Sequence, residues 1–466
     1  MSLDDLRRDF IGLDTCYLLA DGRVTRRHYL DSAASTLTLD CARQVADELL
    51  LHYANTHSQA HFSARIVNYA YHWAHQQVLR LIGSTALKYH IIFFGGTGCT
   101  ALLNRLARTL AARRPERDVV LISLMEHHAN DLPHRKHART VVHIPLTGQV
   151  PALGGVDLAA LERLLAEYAG RVNYIAVSAA SNVTGIINPV HAIAERAHAH
   201  GAWVVVDASQ HLAHAPLAMN DSGAAERELD AVVFSGHKLY APGSPGVAVV
   251  RQALLDAGEP DEVGGGMVDD VSLSGYQVTT RFPDREEAGT PNIIGAVQLG
   301  AALNVLQRVG MERIHASEQR LLRQLLAALA NIPEVRIYGD SDPDRTPRLG
   351  VVSFNLAGLE HGLVAAVLND YHNVAVRNGC FCAHPYVREL LKPELWELEI
   401  DPDAEDAAAL IQTVASDLHR EGSVLQPEQA VSGCQHILLI EQRSSTDHLR
   451  LLVDAAPVDR DHPRGR

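Results

Sequence analysis

WVVVDASQ, from Trp203 to Gln210, and AVVFSGHK, from Ala231 to Lys238, are two apolar runs that each stop on a chemically competent side chain. Neither alternates apolar with polar positions. A strand wetted on one face reads with a period of two, whereas a near-continuous apolar run belongs to a strand covered on both faces. The pattern recurs on either side at IIFF (Ile91 to Phe94), VVLIS (Val119 to Ser123), YIAVS (Tyr174 to Ser178) and VAVV (Val247 to Val250). Between these runs, stretches such as ALLNRLARTLAARR and LAALERLLAEYAG carry a helical period. The alternation predicts an α/β fold with a mainly parallel sheet. Ligands of such sheets gather at the carboxyl ends of the strands.

A second unit is expected from about residue 301. It has a long amphipathic helix (Met311 to Asn331), a strand VVSFNLAG (Val351 to Gly358), then helix, strand (Asn373 to Arg377) and helix. The expected division is 1–30 as an N-terminal segment packed on the small domain, 31–300 as the large domain and 301–422 as the small one. Residues 423–466 form an extension in which CQHILLIEQ reads as a strand and the last residues as disordered.

The chain has 466 residues and a formal net charge of -14, which argues against a nucleic-acid partner because phosphate binding needs clustered Lys and Arg. Six cysteines are too sparse for a disulfide framework at this length, so a reducing cytoplasm is the expected setting. MSLDDLRRDFIGLD lacks the apolar core of a secretory signal, and no run approaches a membrane span.

Burial disfavours the charge of a lysine placed just past a buried strand, so Lys238 is a candidate to lose its proton and form an imine. Out of context SGHK is an ordinary loop. Asp207 ends WVVVD, where a carboxylate can face a cofactor ring nitrogen or simply cap a helix. Gly95-Gly96-Thr97-Gly98 lies between a strand and a helix, where backbone N–H groups and the helix dipole suit a phosphate. It matches neither the GxxxxGK[ST] nor the GxGxxG pattern. His127 and His128 follow VVLIS; such a histidine can stack on an aromatic cofactor or shuttle protons. Zinc on this pair, or on Cys380, Cys382 and His384, lacks a further ligand.

In this order the segments resemble the class V aminotransferase group of pyridoxal-5′-phosphate (PLP) enzymes, and within it the cysteine desulfurases and selenocysteine lyases. The resemblance runs through YLDSAAS (Tyr29 to Ser35), the glycine-rich turn, MEHHAN (Met125 to Asn130), SNVTGIINP (Ser181 to Pro189), VVVDASQ, FSGHKLYAP, GGG (Gly264 to Gly266), EEAGTPN (Glu286 to Asn292) and VRNGCFCAHP (Val376 to Pro385). It implies the PLP-dependent transferase type I fold, the aspartate-aminotransferase kind. By the same resemblance Lys238 is the Schiff-base lysine, Asp207 pairs with the pyridinium nitrogen, Gln210 bonds the ring hydroxyl side and His127 stacks on the ring. Gly96, Thr97, Gly98, Ser235 and His237 are assigned to the phosphate, with Thr290 supplied by a partner subunit, so a homodimer is implied. Ala33, His61, Asn182 and Arg388 are assigned to the substrate, and Asn182 also to the cofactor.

RNGCFCA, Arg377 to Ala383, matches the RxGxxCA loop of desulfurases, which makes Cys382 rather than Cys380 the catalytic cysteine. The implied reaction removes sulfur from L-cysteine, or a related sulfur or selenium amino acid, through an enzyme persulfide, giving alanine and handing sulfur to an acceptor protein. Two departures stand out. Cys99 occupies a place where an acidic residue is common in the turn. Glu397 or Glu399 stands where desulfurases carry a carboxylate-binding arginine, which leaves Arg388 as a substitute. The alternatives are another reaction of the same group (C–S lyase, aminotransferase or epimerase) and a non-catalytic relative that serves as a binding partner.

Overall fold

The computed structural model describes residues 3–83, 90–220, 224–256, 258–397 and 437–441. Among these, the central sheet runs His90–Gly95, Gly246–Arg251, Ala231–Ser235, Trp203–Asp207, Val172–Ser178, Val119–Ser123, Thr140–Ile144 from one edge to the other. Gly246–Arg251 opposes both its neighbours, and the other six strands share one direction. The mainly parallel sheet expected from the apolar runs is present, and all six runs are strands. The sequence reading passes over Thr140–Ile144, an edge strand that is half-buried along most of its length and interrupted by polar residues.

Alternate residues of the strands feed two cores, because successive side chains point to opposite faces. Tyr174, Ala176 and Val205 pack with Leu102, Leu106 and Leu110 of the helix Gly98–Arg113. Ile175, Val177, Val204 and Val206 face the helices Phe62–Leu81, Val190–Ala199 and Ile293–Val309. Leu299, Leu303 and Leu306 of the last helix are fully buried, and each contributes about 2 kcal/mol on removal from water. Gly300 lets this helix approach Phe62–Leu81 closely: a Cβ there would lie 2.9 Å from the Cα of Ala74.

The chain turns at Gly310 (φ 94°) into the helix Met311–Ala330. A four-stranded sheet follows, ordered Val335–Tyr338, Val351–Leu356, Ile437–Glu441, Arg377–Gly379. The strand read in CQHILLIEQ is therefore present, while most of 423–466 lies outside the described residues. The strand expected over 373–377 is two short pieces, Val374–Ala375 and Arg377–Gly379. Val374–Ala375 pairs in parallel with His28–Tyr29, and Leu30 joins Leu322, Leu325 and Phe354 in this unit's core. Among the described residues no single helix is long and apolar enough to cross a membrane.

Candidate active site

Because six strands share a direction, their carboxyl ends meet at one edge of the sheet. Five of them open there onto a cavity of about 440 Å³. It brings together Ala33, Thr97, Gly98, His127, Asn182, Asp207, Gln210, Ser235, His237, Lys238 and Cys382. Gly96 is adjacent to the lining rather than part of it. His61, Arg388 and Thr290 lie elsewhere on the chain. His61 caps the helix Phe62–Leu81, its Nδ1 accepting from Ala64 N. Arg388 is exposed on the helix His384–Glu397, and Thr290 is exposed with its Oγ1 accepting from Asn55 Nδ2 at 2.9 Å. Glu397 ends that helix, and Glu399 lies outside the described residues.

Lys238 closes the turn Gly236–Lys238 directly after Ala231–Ser235, and it is half-buried. Asp207 ends its own strand, buried, with Oδ1 accepting from Ser209 N at 2.9 Å. Gln210 is fixed by donating Nε2 to Ala33 O at 2.8 Å. On the other side, Thr97 caps the helix Gly98–Arg113 without using its own side chain, and Cys99 N donates to Ser235 Oγ at 2.8 Å. Gly98, at φ 61°, brings the backbone so near Ser235 that a Cβ would lie 2.9 Å from its Oγ. Such a bare, N–H-rich helix start suits a phosphate. Among the described residues Ser209 Oγ, buried beside the cavity, has no partner within hydrogen-bond geometry. A buried hydroxyl without a partner is costly, so an orphan on a cavity wall fits a site shaped for a polar ligand.

His127 stands at the end of the third wall. Its Nδ1 accepts from Ala129 N at 3.0 Å, which places its proton on Nε2. Burial, aided by the nearby charge of Lys238, pushes its pKa down to about 3, so the ring is neutral. Behind it Glu126 is buried and accepts from Ser178 N at 2.8 Å, Ser178 Oγ at 2.6 Å and Asn130 Nδ2 at 2.6 Å, as well as from Ser123 Oγ. Those bonds fix the turn that aims His127.

The fourth wall is the cysteine loop. Cys382 is exposed, whereas Cys380 is buried and pushed up to about 12 by desolvation. Phe381 and Cys382 both adopt left-handed backbone, at φ 53° and 54°. A non-glycine residue there costs about 1 kcal/mol or more, so outside contacts must hold the loop. Asn182 Nδ2 donates to Phe381 O at 2.7 Å, and His128 N donates to Cys382 O at 2.6 Å.

Sequence reasoning missed Arg377, which lines the cavity with its side chain 45% exposed and sits 4.0 Å from Asp31 Oδ2. The signal was available, since Arg377 opens the loop motif that identified Cys382. Cys99 also lines the cavity, its Sγ 4.0 Å from Asp207 Oδ2, and burial together with that carboxylate raises its pKa to about 11.

A parallel sheet that delivers a lysine, a carboxylate, a neutral histidine and a phosphate-ready helix start to one cavity defines a PLP-type enzyme site. The chain belongs to the aminotransferase class-V family, whose model matches residues 28–395. It is 35% identical to a cysteine desulfurase of Dickeya dadantii over 374 residues, 79% of this chain and 85% of that protein. Among solved structures, the apo cysteine desulfurase of Thermococcus onnurineus matches with a TM-score of 0.76 and 26% identity, covering 97% of this chain and 96% of the other. An Escherichia coli cysteine desulfurase, solved in an S-sulfonic acid form, matches with a TM-score of 0.73 and 25% identity, covering 98% and 97%.

Proposed function

We propose that the chain is a PLP-dependent cysteine desulfurase that removes sulfur from L-cysteine through a persulfide on Cys382 and yields alanine. The observation that carries this reading is the convergence of Lys238, Asp207 and an exposed Cys382 on one cavity. The residues present fit the cofactor: an amine for its aldehyde, an acid for its ring nitrogen, N–H donors for its phosphate and an orphan hydroxyl nearby. When bound, PLP supplies an electron sink that stabilises a carbanion at the substrate's α-carbon.

In this reading Lys238 Nζ would hold the cofactor and would move protons at the substrate. The Asp207 carboxylate would keep a proton on the ring nitrogen. Neutral His127 would stack on the cofactor ring, and Gln210, tied to Ala33, would bond its hydroxyl. Thr97, Gly98, Ser235 and His237 would hold the phosphate. Arg377 is the cation that faces the cavity from the cysteine loop, and we assign it the substrate carboxylate in place of Arg388. Its planar fork suits bidentate pairing. Cys382 Sγ, as thiolate, attacks the substrate sulfur. The S–S bond of the persulfide forms as the substrate's C–S bond breaks, and a proton from Lys238 completes alanine. Cys380, buried and with its thiol raised, is a poor nucleophile beside it.

A homodimer accompanies this reading. Phe62, Ile66 and Tyr69 form one exposed stripe on the helix Phe62–Leu81, next to exposed Leu51 and Tyr53. Asn55 links that segment to Thr290, which would reach a partner's phosphate site from there. An acceptor protein is the expected destination of the sulfur, and the cytoplasm the expected compartment.

The test is product analysis with L-cysteine and added PLP. Alanine and sulfane sulfur should appear in equal amounts and vanish in Cys382→Ser. Pyruvate and ammonia formed in that variant would point to lyase chemistry instead.

A further inference from the structure

His128 grips the cysteine loop twice. Besides the backbone bond to Cys382 O, its Nε2 lies 3.3 Å from His384 N and 3.1 Å from His384 Nδ1. The two rings are 12° from parallel with centroids 4.9 Å apart. A backbone N–H can only donate, so His128 Nε2 carries a lone pair and its proton sits on Nδ1. His384 opens the helix His384–Glu397, so its N–H is one that no carbonyl of the same helix can satisfy. The loop held this way carries two consecutive left-handed residues and gains by relaxing once released.

We propose that His128 and His384 are positioning residues that form a proton-operated latch, holding Cys382 at the cavity while both rings are neutral and releasing it when His128 Nε2 takes a proton. The inference rests on the reading of Cys382 as the sulfur-carrying residue. A protonated Nε2 meets the His384 backbone N–H with a second N–H, so that hydrogen bond is lost. Release changes only whether Cys382 Sγ faces the cavity or bulk solvent, which is what passing sulfur to an acceptor requires.

The groups facing the pair set the direction. Around His128 these are Asp131, Arg135, His127 and His384; around His384 they are His128 and Arg388. Burial lowers the pKa of His128, with Asp131 opposing and Arg135 assisting. Burial likewise lowers His384, assisted by His128 and Arg388. The docked loop therefore binds fewer protons than the released one. The latch is closed at neutral pH and above, and opens as pH falls below the ordinary histidine range.

The test labels Cys382 in the PLP-loaded enzyme with a dipyridyl disulfide and follows the Cys382 peptide by mass. The comparison is with His128→Gln, whose Oε1 accepts at similar reach but takes no proton, and with His128→Phe, which accepts nothing. Dividing the wild-type rate by that of His128→Gln at each pH cancels the ionisation of the thiol itself. The ratio should stay near one at about pH 8 and rise about fivefold or more below about pH 6, and His128→Phe should label fast at both. A ratio flat across that range, or His128→Phe as slow as wild type at about pH 8, overturns the latch. Sulfane sulfur formation persisting in Cys382→Ser overturns instead the reading on which it rests, and is measured separately from the labelling.

Discussion

Replacing Arg377 by alanine should damage recognition of the substrate carboxylate without disturbing the rest of the site. Arg377 lines the cavity, and its neighbour Asp31 is only in loose contact at 4.0 Å, so the guanidinium is available to a second anion. A fork pairing with a carboxylate makes two charge-assisted hydrogen bonds of about 1.5–3 kcal/mol each. The side chain is 45% exposed, so solvent weakens the pair, and a total of about 2–3 kcal/mol is the fitting figure. That corresponds to a loss of about 30- to 150-fold in kcat/KM. The assay compares L-cysteine with cysteamine, which has the same amine and thiol but no carboxylate. The preference for L-cysteine should collapse in Arg377→Ala, with kcat/KM for cysteamine nearly unchanged. Equal losses for both compounds would mean that Arg377 acts on the loop or the cofactor rather than on the carboxylate, and the assignment would be wrong.

Lys238→Ala should purify without the absorbance of imine-bound PLP and without turnover, as read by spectrophotometry and product analysis. Glu287 is buried and accepts from Tyr71 Oη at 2.8 Å, His75 Nε2 at 2.9 Å and Phe94 N at 2.7 Å. Glu287→Ala leaves these donors unpaired and should cost about 3–5 kcal/mol in urea unfolding. Burial pushes Glu126 up to about 7, well above the ordinary glutamate value. The stability this group gives is complete below its unfolded pKa and is lost as pH rises through about 7, so Glu126→Gln should gain on wild type between about pH 5 and 8 in thermal unfolding. Phe62→Asp should shift the proposed dimer to monomer in sedimentation, because it places a charge on the exposed apolar stripe.

Much of the site could be read along the chain because its parts sit where strands stop. Asp207, Lys238 and His127 each follow a buried apolar run, and a doubly covered parallel strand has a conspicuous composition. Thr140–Ile144 lacks that composition because one side of an edge strand is open, so the same rule passed over it. Arg377 is harder to read as a carboxylate anchor because it precedes Cys382, whereas the arginine that desulfurases carry lies beyond their cysteine. The pairing of His128 with His384 joins residues 256 apart, and no local period or spacing carries such a contact. Nor does the sequence announce that Asn182 would bond Phe381 O, a contact that depends on how the loop returns to the sheet.

One amine, Lys238, is proposed to hold PLP. Borohydride reduction of the PLP-loaded protein, followed by digestion and mass analysis, tests it most directly. A reduced pyridoxyl adduct is expected on the peptide carrying Ser235 to Lys238, in near-stoichiometric yield. A stoichiometric adduct on a different lysine, or unmodified Lys238 in a protein that retains the chromophore, would contradict it.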